Sequence, residues 1–489
     1  MKVARVTYPR ALAAALALTL AACGDGGGTG SSGSALVIGA TPTPPPSPTP
    51  TPSPTPAACS LRAQQDAVSQ LLDEWYLFPS LLAVANPDNF NTLQGFIDAR
   101  VAPARAQNRD RFFTGATSIR EENALIQSGS SAGFGMRLGF DSSAGRLFVI
   151  EGYEGTPAFA AGLDRGTEIL AIGTTAGTLQ TVSSLFASGG VQAVSNALGP
   201  NEAGLTRVLQ FRPRGGALTE RSVTKADFSL DPVSDRYGTL ILNDGGTRVG
   251  YLNLRTFIIE DAKRQMREAF GQFREQNITR IIIDLRYNGG GLVSGADVLG
   301  DLLLAGRAGQ VWSRVVWRPE KSAENRTRNI AAEPNAINPA RIAFITTGSS
   351  ASASELVING LLPYVGNNIA IIGSNTFGKP VGQAAFDFAS CDLRVRPVTF
   401  QTVNANNQGE YFSGLASIMP NTCRANDDIG FQLGDPAEAS VRTALDFVNG
   451  RSCTPIISST GTMWTMRSER DMLTSRDPNA AQVEMPGLF

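Results

Sequence analysis

The sequence predicts an α/β core preceded by a small helical domain and a small β domain. Three observations carry that prediction. From Tyr237 onward, apolar runs alternate with amphipathic stretches, as strands and helices do in an α/β layer. Between Gly133 and Pro232 the apolar runs are short and broken by glycines, as in a compact β unit. Between Cys59 and Ser130, apolar residues recur at helical spacing. The expected boundaries are 59–130 for the helical domain, 131–232 for the β domain and 233–453 for the core. Residues 1–22 and 23–58 form a leader and a linker, and 454–489 a tail expected to be loosely held.

The leader begins with Lys2, Arg5 and Arg10, followed by ALAAALALTLAA, an apolar stretch too short to span a bilayer as a helix. It ends in Leu20-Ala21-Ala22-Cys23, which resembles a bacterial lipobox, so 1–22 reads as a lipoprotein-type signal peptide with Cys23 as the lipidated residue. Nine prolines between Pro42 and Pro56 make the Pro/Thr/Gly-rich linker a semi-rigid spacer. This arrangement places the folded part on the periplasmic side of a bacterial envelope, anchored to a membrane, the outer in preference to the inner.

In the helical domain, Val68, Leu71, Leu72 and Trp75 share one face, and SIREENALIQSG is a second helix. In the β domain, GFGMRLGF, GRLFVIEGY and GTEILAIGT are strand-like, with the short helix of EGTPAFAAGLDRG between them. In the core, VGYLNL, RIIIDL, RIAFITT and IAIIGS are strands. EDAKRQMREAFGQFREQ, SGADVLGDLLLAG and SELVINGLL are helices. RIIIDL is apolar throughout, as a strand covered on both faces requires.

Composition removes several chemistries. The 489 residues contain no histidine, which excludes Ser-His-Asp and Cys-His catalysis and HExxH zinc sites. The formal charge of −1 gives nucleic-acid binding no support. Cys59, Cys391, Cys423 and Cys453 lack CxxC spacing. No metal or other cofactor is expected, and in an oxidising compartment these cysteines suit two disulfides. Chain position favours Cys391–Cys423 and Cys59–Cys453.

Three stretches carry the remaining chemistry. SSASASELV, residues 349–357, turns from an apolar strand into a helix, where unpaired backbone N–H groups favour a nucleophilic serine. Ser352 and Glu355 also form S-x-x-E, a capping box that needs no catalytic role. Without histidine, a serine hydrolase must use a lysine kept neutral by apolar surroundings. Lys379, in GSNTFGKPVGQ, lies beyond a core strand among Phe377, Pro380 and Val381, with Gln383 placed to orient its amine. Residues 284–291, DLRYNGGG, end another core strand and bring backbone N–H groups close to a developing negative charge.

The segment Gly133-Phe134-Gly135-Met136 followed by TPAFAAGLDRGTEILAIG resembles a PDZ domain, the first four residues standing where that family binds a peptide carboxylate. With the three core motifs, the stretch Gly133–Asn449 resembles the C-terminal processing peptidases, serine–lysine endopeptidases that join a PDZ domain to a crotonase/ClpP-like α/β core. The resemblance implies Ser352 as nucleophile, Lys379 as general base and Gln383 as its orienting partner. It implies oxyanion donors at the backbone of Ala353 and of a glycine in 289–291, best Gly290. Asp284, Arg286 and Glu355 match supporting positions. Ser354 remains a second candidate nucleophile. Gly289 in place of the family's usual proline, and Pro380 after the lysine in place of glycine, mark divergence.

The implied activity is cleavage of protein or peptide substrates recruited by apolar C-termini, through an acyl-enzyme. The alternative is a catalytically inactive, peptide-binding envelope lipoprotein. A third possibility, an acyl-thioester enzyme of crotonase-like architecture, leaves the β domain and the export signal without purpose. The sequence ends MPGLF, an apolar ligand of the kind a PDZ groove accepts, so the tail itself is a candidate occupant. Oligomeric state is not legible.

Overall fold

The computed structural model describes residues 59–457, 461–463 and 470–489. The expected signal peptide, Cys23 and linker lie outside the described residues.

Helix α1 (Leu61–Trp75) is capped by Ser60, α2 (Leu93–Ala106) by Thr92 and α3 (Ile119–Ser128) by Ser118. Each cap hydroxyl accepts a backbone N–H that the helix leaves unpaired. This region is less separate than the helical pattern predicted. Val68, Leu72, Ile97 and Val101 share one apolar cluster with Val381, Val395 and Val398 from far along the chain. Strand Gly115–Ser118 pairs with Leu393–Arg396.

The β domain contains strands β1 (Met136–Asp141), β2 (Arg146–Gly152), β3 (Glu168–Gly173), β4 (Thr206–Arg212) and β5 (Thr219–Thr224), antiparallel in that order. The short helix α4 (Pro157–Ala160) falls where the sequence places one. Helix α5 (Val182–Leu198), broken at Gly189 and Gly190, was not legible, because its serines and glycines dilute the apolar period.

The core sheet begins with β6 (Thr239–Asp244) and β7 (Thr247–Asn253), a hairpin turned by Gly245 and Gly246, both at positive φ. Strands β8 (Arg280–Asp284), β9 (Arg341–Thr346), β10 (Ile369–Gly373) and β11 (Thr422–Arg424) follow in parallel order. Helices α6 (Ala262–Glu275), α7 (Val293–Leu302) and α8 (Ala353–Val365) share a core with one face of the sheet around Trp312. Helix α9 (Ala439–Val448) packs with Ile282, Ala343, Ile345 and Ile372 on the other. Asp284 pairs with Ile345, and Thr346 with Gly373. The carboxyl ends of three strands therefore stand side by side, and the glycine, serine and lysine turns all leave from that edge, where ligands of parallel sheets bind.

The disulfide pairing differs from the expected one. Cys59 bonds Cys391, and Cys423 bonds Cys453, each pair with Cα atoms 5.4 Å apart. The start of α1 lies against the turn at 389–391, and β11 lies beside residue 454, whose carbonyl accepts from Arg424 N–H at 2.8 Å. Position along the chain carries no information about either proximity.

The tail is also not loosely held where it is described. Strand β12 (Asp471–Met472) pairs with β1, and helix α10 (Ala480–Glu484) packs beside α3.

Candidate active site

Ser352 stands between β9 and α8 at φ 55° and ψ −113°, a strained backbone for a residue with a side chain. Nucleophile elbows carry strain of this kind, and here Ser352 and Glu355 also form the capping box that the sequence offers at the start of α8. Its neighbours are committed elsewhere. The Ser350 hydroxyl donates to the Leu285 carbonyl at 2.8 Å, and the Ser354 hydroxyl to the Asn288 carbonyl at 2.9 Å; both residues are fully buried. Ser352 is partly exposed.

Glu355 holds the site together. It is buried, its Oε2 accepts from Ser352 N–H at 3.0 Å and from Lys379 N–H at 2.7 Å, and its Oε1 accepts from Gly378 N–H at 2.7 Å. One carboxylate oxygen thus keeps the serine and lysine backbones within two hydrogen-bond lengths. Burial pushes the Glu355 carboxyl above its usual range, and these hydrogen bonds work against that shift.

The Lys379 side chain is part-buried in the wall of the cleft, and desolvation pulls its amine below its ordinary value, as a base that must be neutral requires. Nζ donates to Gln383 Oε1 at 2.8 Å and lies 4.8 Å from the Phe113 ring centroid. Gln383 in turn donates through Nε2 to the Phe113 carbonyl. A neutral amine that gives one hydrogen to Gln383 keeps its lone pair free for another partner.

Gly290 lies directly against the serine turn. At φ 112°, a Cβ there would come within 2.7 Å of Ser352 Cβ and 2.9 Å of Ala353 N, so only glycine fits. Ala353 is the first residue of α8, where a backbone N–H has no partner within the helix. The Gly290 N–H, however, donates to Asn288 Oδ1 at 2.9 Å. Gly290 thus lies beside Ser352, but its N–H is occupied in this arrangement, because the Asn288 side chain folds back over its own turn.

Residues 248–416, which include all these groups, match the model of peptidase family S41. That stretch is a peptidase S41 domain. It is 23% identical over 323 residues to the carboxyl-terminal-processing protease of Picosynechococcus sp., covering 66% of this chain and 71% of that protein. To the carboxyl-terminal-processing protease of Synechocystis sp. it is 25% identical over 336 residues, covering 67% and 70%. A solved structure from Bacteroides fragilis NCTC 9343, described as an S41 protease, has the same fold, with a TM-score of 0.61 at 23% identity over 78% of this chain and 97% of that one. This S41 chain is a serine peptidase of the C-terminal-processing type.

In the S41 core, Asp284 and Arg286 lie in a buried ion network. Arg286 Nε donates to both Asp284 oxygens at 3.0 Å, while its other nitrogens reach Asp427 at 3.1 Å and Glu438 at 2.9 Å. Neighbouring guanidinium groups hold the Asp427 and Glu438 carboxyls below their usual range, whereas burial raises that of Asp284. Arg165, from the β domain, joins through Asp427 at 2.6 Å and the Tyr287 hydroxyl at 2.9 Å. These residues pin the glycine turn to the β domain and stand apart from the serine and lysine.

The loop Gly133–Met136 leads into β1 on the edge that β12 and the end of the chain cover. Gly135 and Met136 N–H groups donate to the Phe489 oxygen at 2.8 and 3.2 Å, and Phe134 lines the apolar core beneath. Lys225 Nζ lies 4.7 Å from the Phe134 ring centroid and donates to Gly199 O, Pro200 O and Asn201 Oδ1 at 2.8 Å each.

Sequence reasoning missed the strap at residues 110–114. Asp110 accepts from Phe113 N–H, Thr114 N–H and the Tyr76 hydroxyl, fixing the turn that presents Phe113 to Lys379 and Gln383. Arg111 donates to the carbonyls of Phe377, Gly378 and Phe412 and stacks 4.0 Å from the Phe377 ring centroid. The RDRFFTG stretch offered two aromatics beside two arginines, a signal that gains meaning only from the fold. Among the described residues no group of three or more His, Cys, Asp or Glu side chains is placed to hold a metal ion, and no helix is long and apolar enough to cross a membrane.

Proposed function

We propose that this peptidase cleaves proteins through a Ser352–Lys379 dyad. The observation that carries the reading is the Glu355 bridge, which fixes both backbones while Gln383 holds the lysine amine. Ser352 Oγ attacks the scissile carbonyl as neutral Lys379 Nζ takes its proton. The resulting oxyanion is held by Ala353 N–H and by Gly290 N–H once Asn288 releases it. The lysine ammonium then protonates the leaving amine, leaving an ester on Ser352. Water, deprotonated by Lys379, releases the carboxylic acid product and regenerates the serine.

The β domain acts as a PDZ module. Its Gly133–Met136 loop receives the carboxylate of a substrate, and β1 adds the substrate as a strand. Phe134 and Met136 face the ligand's last side chain, which selects apolar C-termini. Cys23 anchors the chain by lipid to the bacterial envelope, facing the periplasm, with the outer membrane favoured over the inner.

The test compares digestion of one unfolded protein ending in Gly-Leu-Phe with the same protein ending in Gly-Asp-Asp. The first is cut at least tenfold faster. Equal rates would remove C-terminal recruitment from the account.

A further inference from the structure

Segment 470–489 occupies both places that a substrate needs. Asp471 and Met472 pair with Phe140 and Gly139 on the outer edge of β1. Further along the same edge, Leu473 N–H donates to Leu138 O at 3.1 Å and Leu138 N–H to Gly487 O at 2.7 Å. Phe489 N–H donates to Met136 O at 2.9 Å, and the Phe489 oxygen accepts from Gly135 and Met136. The Phe489 side chain is 1% exposed, packed among Phe134, Met136 and Leu138. No length of this edge is left for an incoming strand.

Between these contacts the segment crosses the catalytic cleft. A cavity of about 420 Å³ is lined by Lys379, Gln383 and Gly289 together with Val483, Glu484 and Pro486 of the segment. The Glu484 carbonyl lies 3.3 Å from where a Gly289 Cβ would stand. Burial lowers the Lys379 amine and raises the Glu484 carboxyl, and the attraction between the two groups works against both shifts. The segment is braced internally, with Gln482 Nε2 donating to Leu488 O at 2.8 Å. Met485 and Leu488 are buried against Leu125, Tyr153 and Ile259.

We propose that residues 470–489 are a tethered competitor, filling the groove and the cleft together until a substrate C-terminus ending in a large apolar residue displaces them. This rests on the dyad and groove readings above. A tethered ligand acts at an effective concentration of about millimolar, so a segment that binds at about 100 μM weakens an incoming peptide about tenfold.

The test uses the purified full chain, Phe489→Asp, which cannot seat in the apolar groove, and Glu484→Gln, which removes the charge facing Lys379 and leaves the groove alone. Binding of a fluorescent peptide ending in Gly-Leu-Phe with a free carboxylate reports on the groove. Turnover of a short amidated peptide, which cannot use the groove, reports on the cleft. Phe489→Asp is expected to raise both affinity and turnover tenfold or more, and Glu484→Gln to raise turnover alone. Higher affinity with unchanged turnover would overturn the blockade while leaving the groove assignment in place. No change in either, with an unaltered circular dichroism spectrum, would overturn the proposal. If Phe489→Asp does not fold, unchanged turnover in Glu484→Gln overturns it. If no form cleaves while affinity still rises, the dyad assignment fails, and the cleft half of the proposal with it.

Discussion

Glu355→Gln separates a helix cap from a catalytic bridge. The carboxylate accepts three backbone N–H bonds, two of them on one oxygen shared by Ser352 and Lys379. Each such bond to a charged acceptor is worth about 1.5–3 kcal/mol. An amide keeps one oxygen and therefore its best arrangement retains the shared pair, turning an NH2 group toward Gly378 N–H. One bond is lost and two donors face each other, so the expected cost is about 2–4 kcal/mol. For a core of this size each kcal/mol lowers the unfolding midpoint by about 2–4 °C. The Gly378 shift also moves the adjacent lysine, and a displacement of about 1 Å costs about a hundredfold in turnover. Thermal unfolding and kcat/KM on an unfolded protein, measured on the same preparation, check both numbers. A capping role alone predicts a stability loss of about 0.5–2 kcal/mol and parental kcat/KM. That outcome would refute the bridge.

The remaining predictions concern pH and the disulfides. Burial lowers the Lys379 pKa, so the neutral amine forms below the ordinary lysine value of 10.5; kcat/KM should rise with pH and level off before that point. A flat profile from about pH 5 to about pH 10, with chemistry rate-limiting, would contradict a lysine base. Non-reducing peptide maps should yield Cys59–Cys391 and Cys423–Cys453 as linked pairs, and a Cys391–Cys423 peptide would contradict the fold around β11. Replacing Cys423 and Cys453 by serine opens a crosslink with a sequence separation of 30, which should cost about 3–4 kcal/mol by denaturant unfolding.

The parts of the site that were legible in the sequence share a cause. Each is a short motif at the end of an apolar strand, and parallel strands deliver their ends to one edge regardless of what lies between them. Ser352, Lys379 and the glycine turn needed only that rule to be expected together. Gln383 followed from its spacing to the lysine. The unread parts depend on long-range packing. Phe113 reaches Gln383 across 270 residues, and Cys59 reaches Cys391 across 332. No local pattern encodes either contact. The state of the Gly290 N–H was hidden for another reason, since the competing acceptor is a side-chain rotamer of Asn288. The tail looked unstructured because pairing along an existing strand edge needs neither hydrophobic period nor length. Helix α5 was missed where glycine and serine content outweighed a tertiary contact with the β domain.

The most direct measurement of the central claim is digestion of an unfolded protein by the full chain beside Ser352→Ala, Ser354→Ala and Lys379→Ala, each confirmed folded. The account predicts cleavage abolished by the first and third substitutions. It predicts cleavage retained by Ser354→Ala, whose lost hydroxyl only held the Asn288 carbonyl. Cleavage that survives Ser352→Ala, or is lost only with Ser354→Ala, would contradict it.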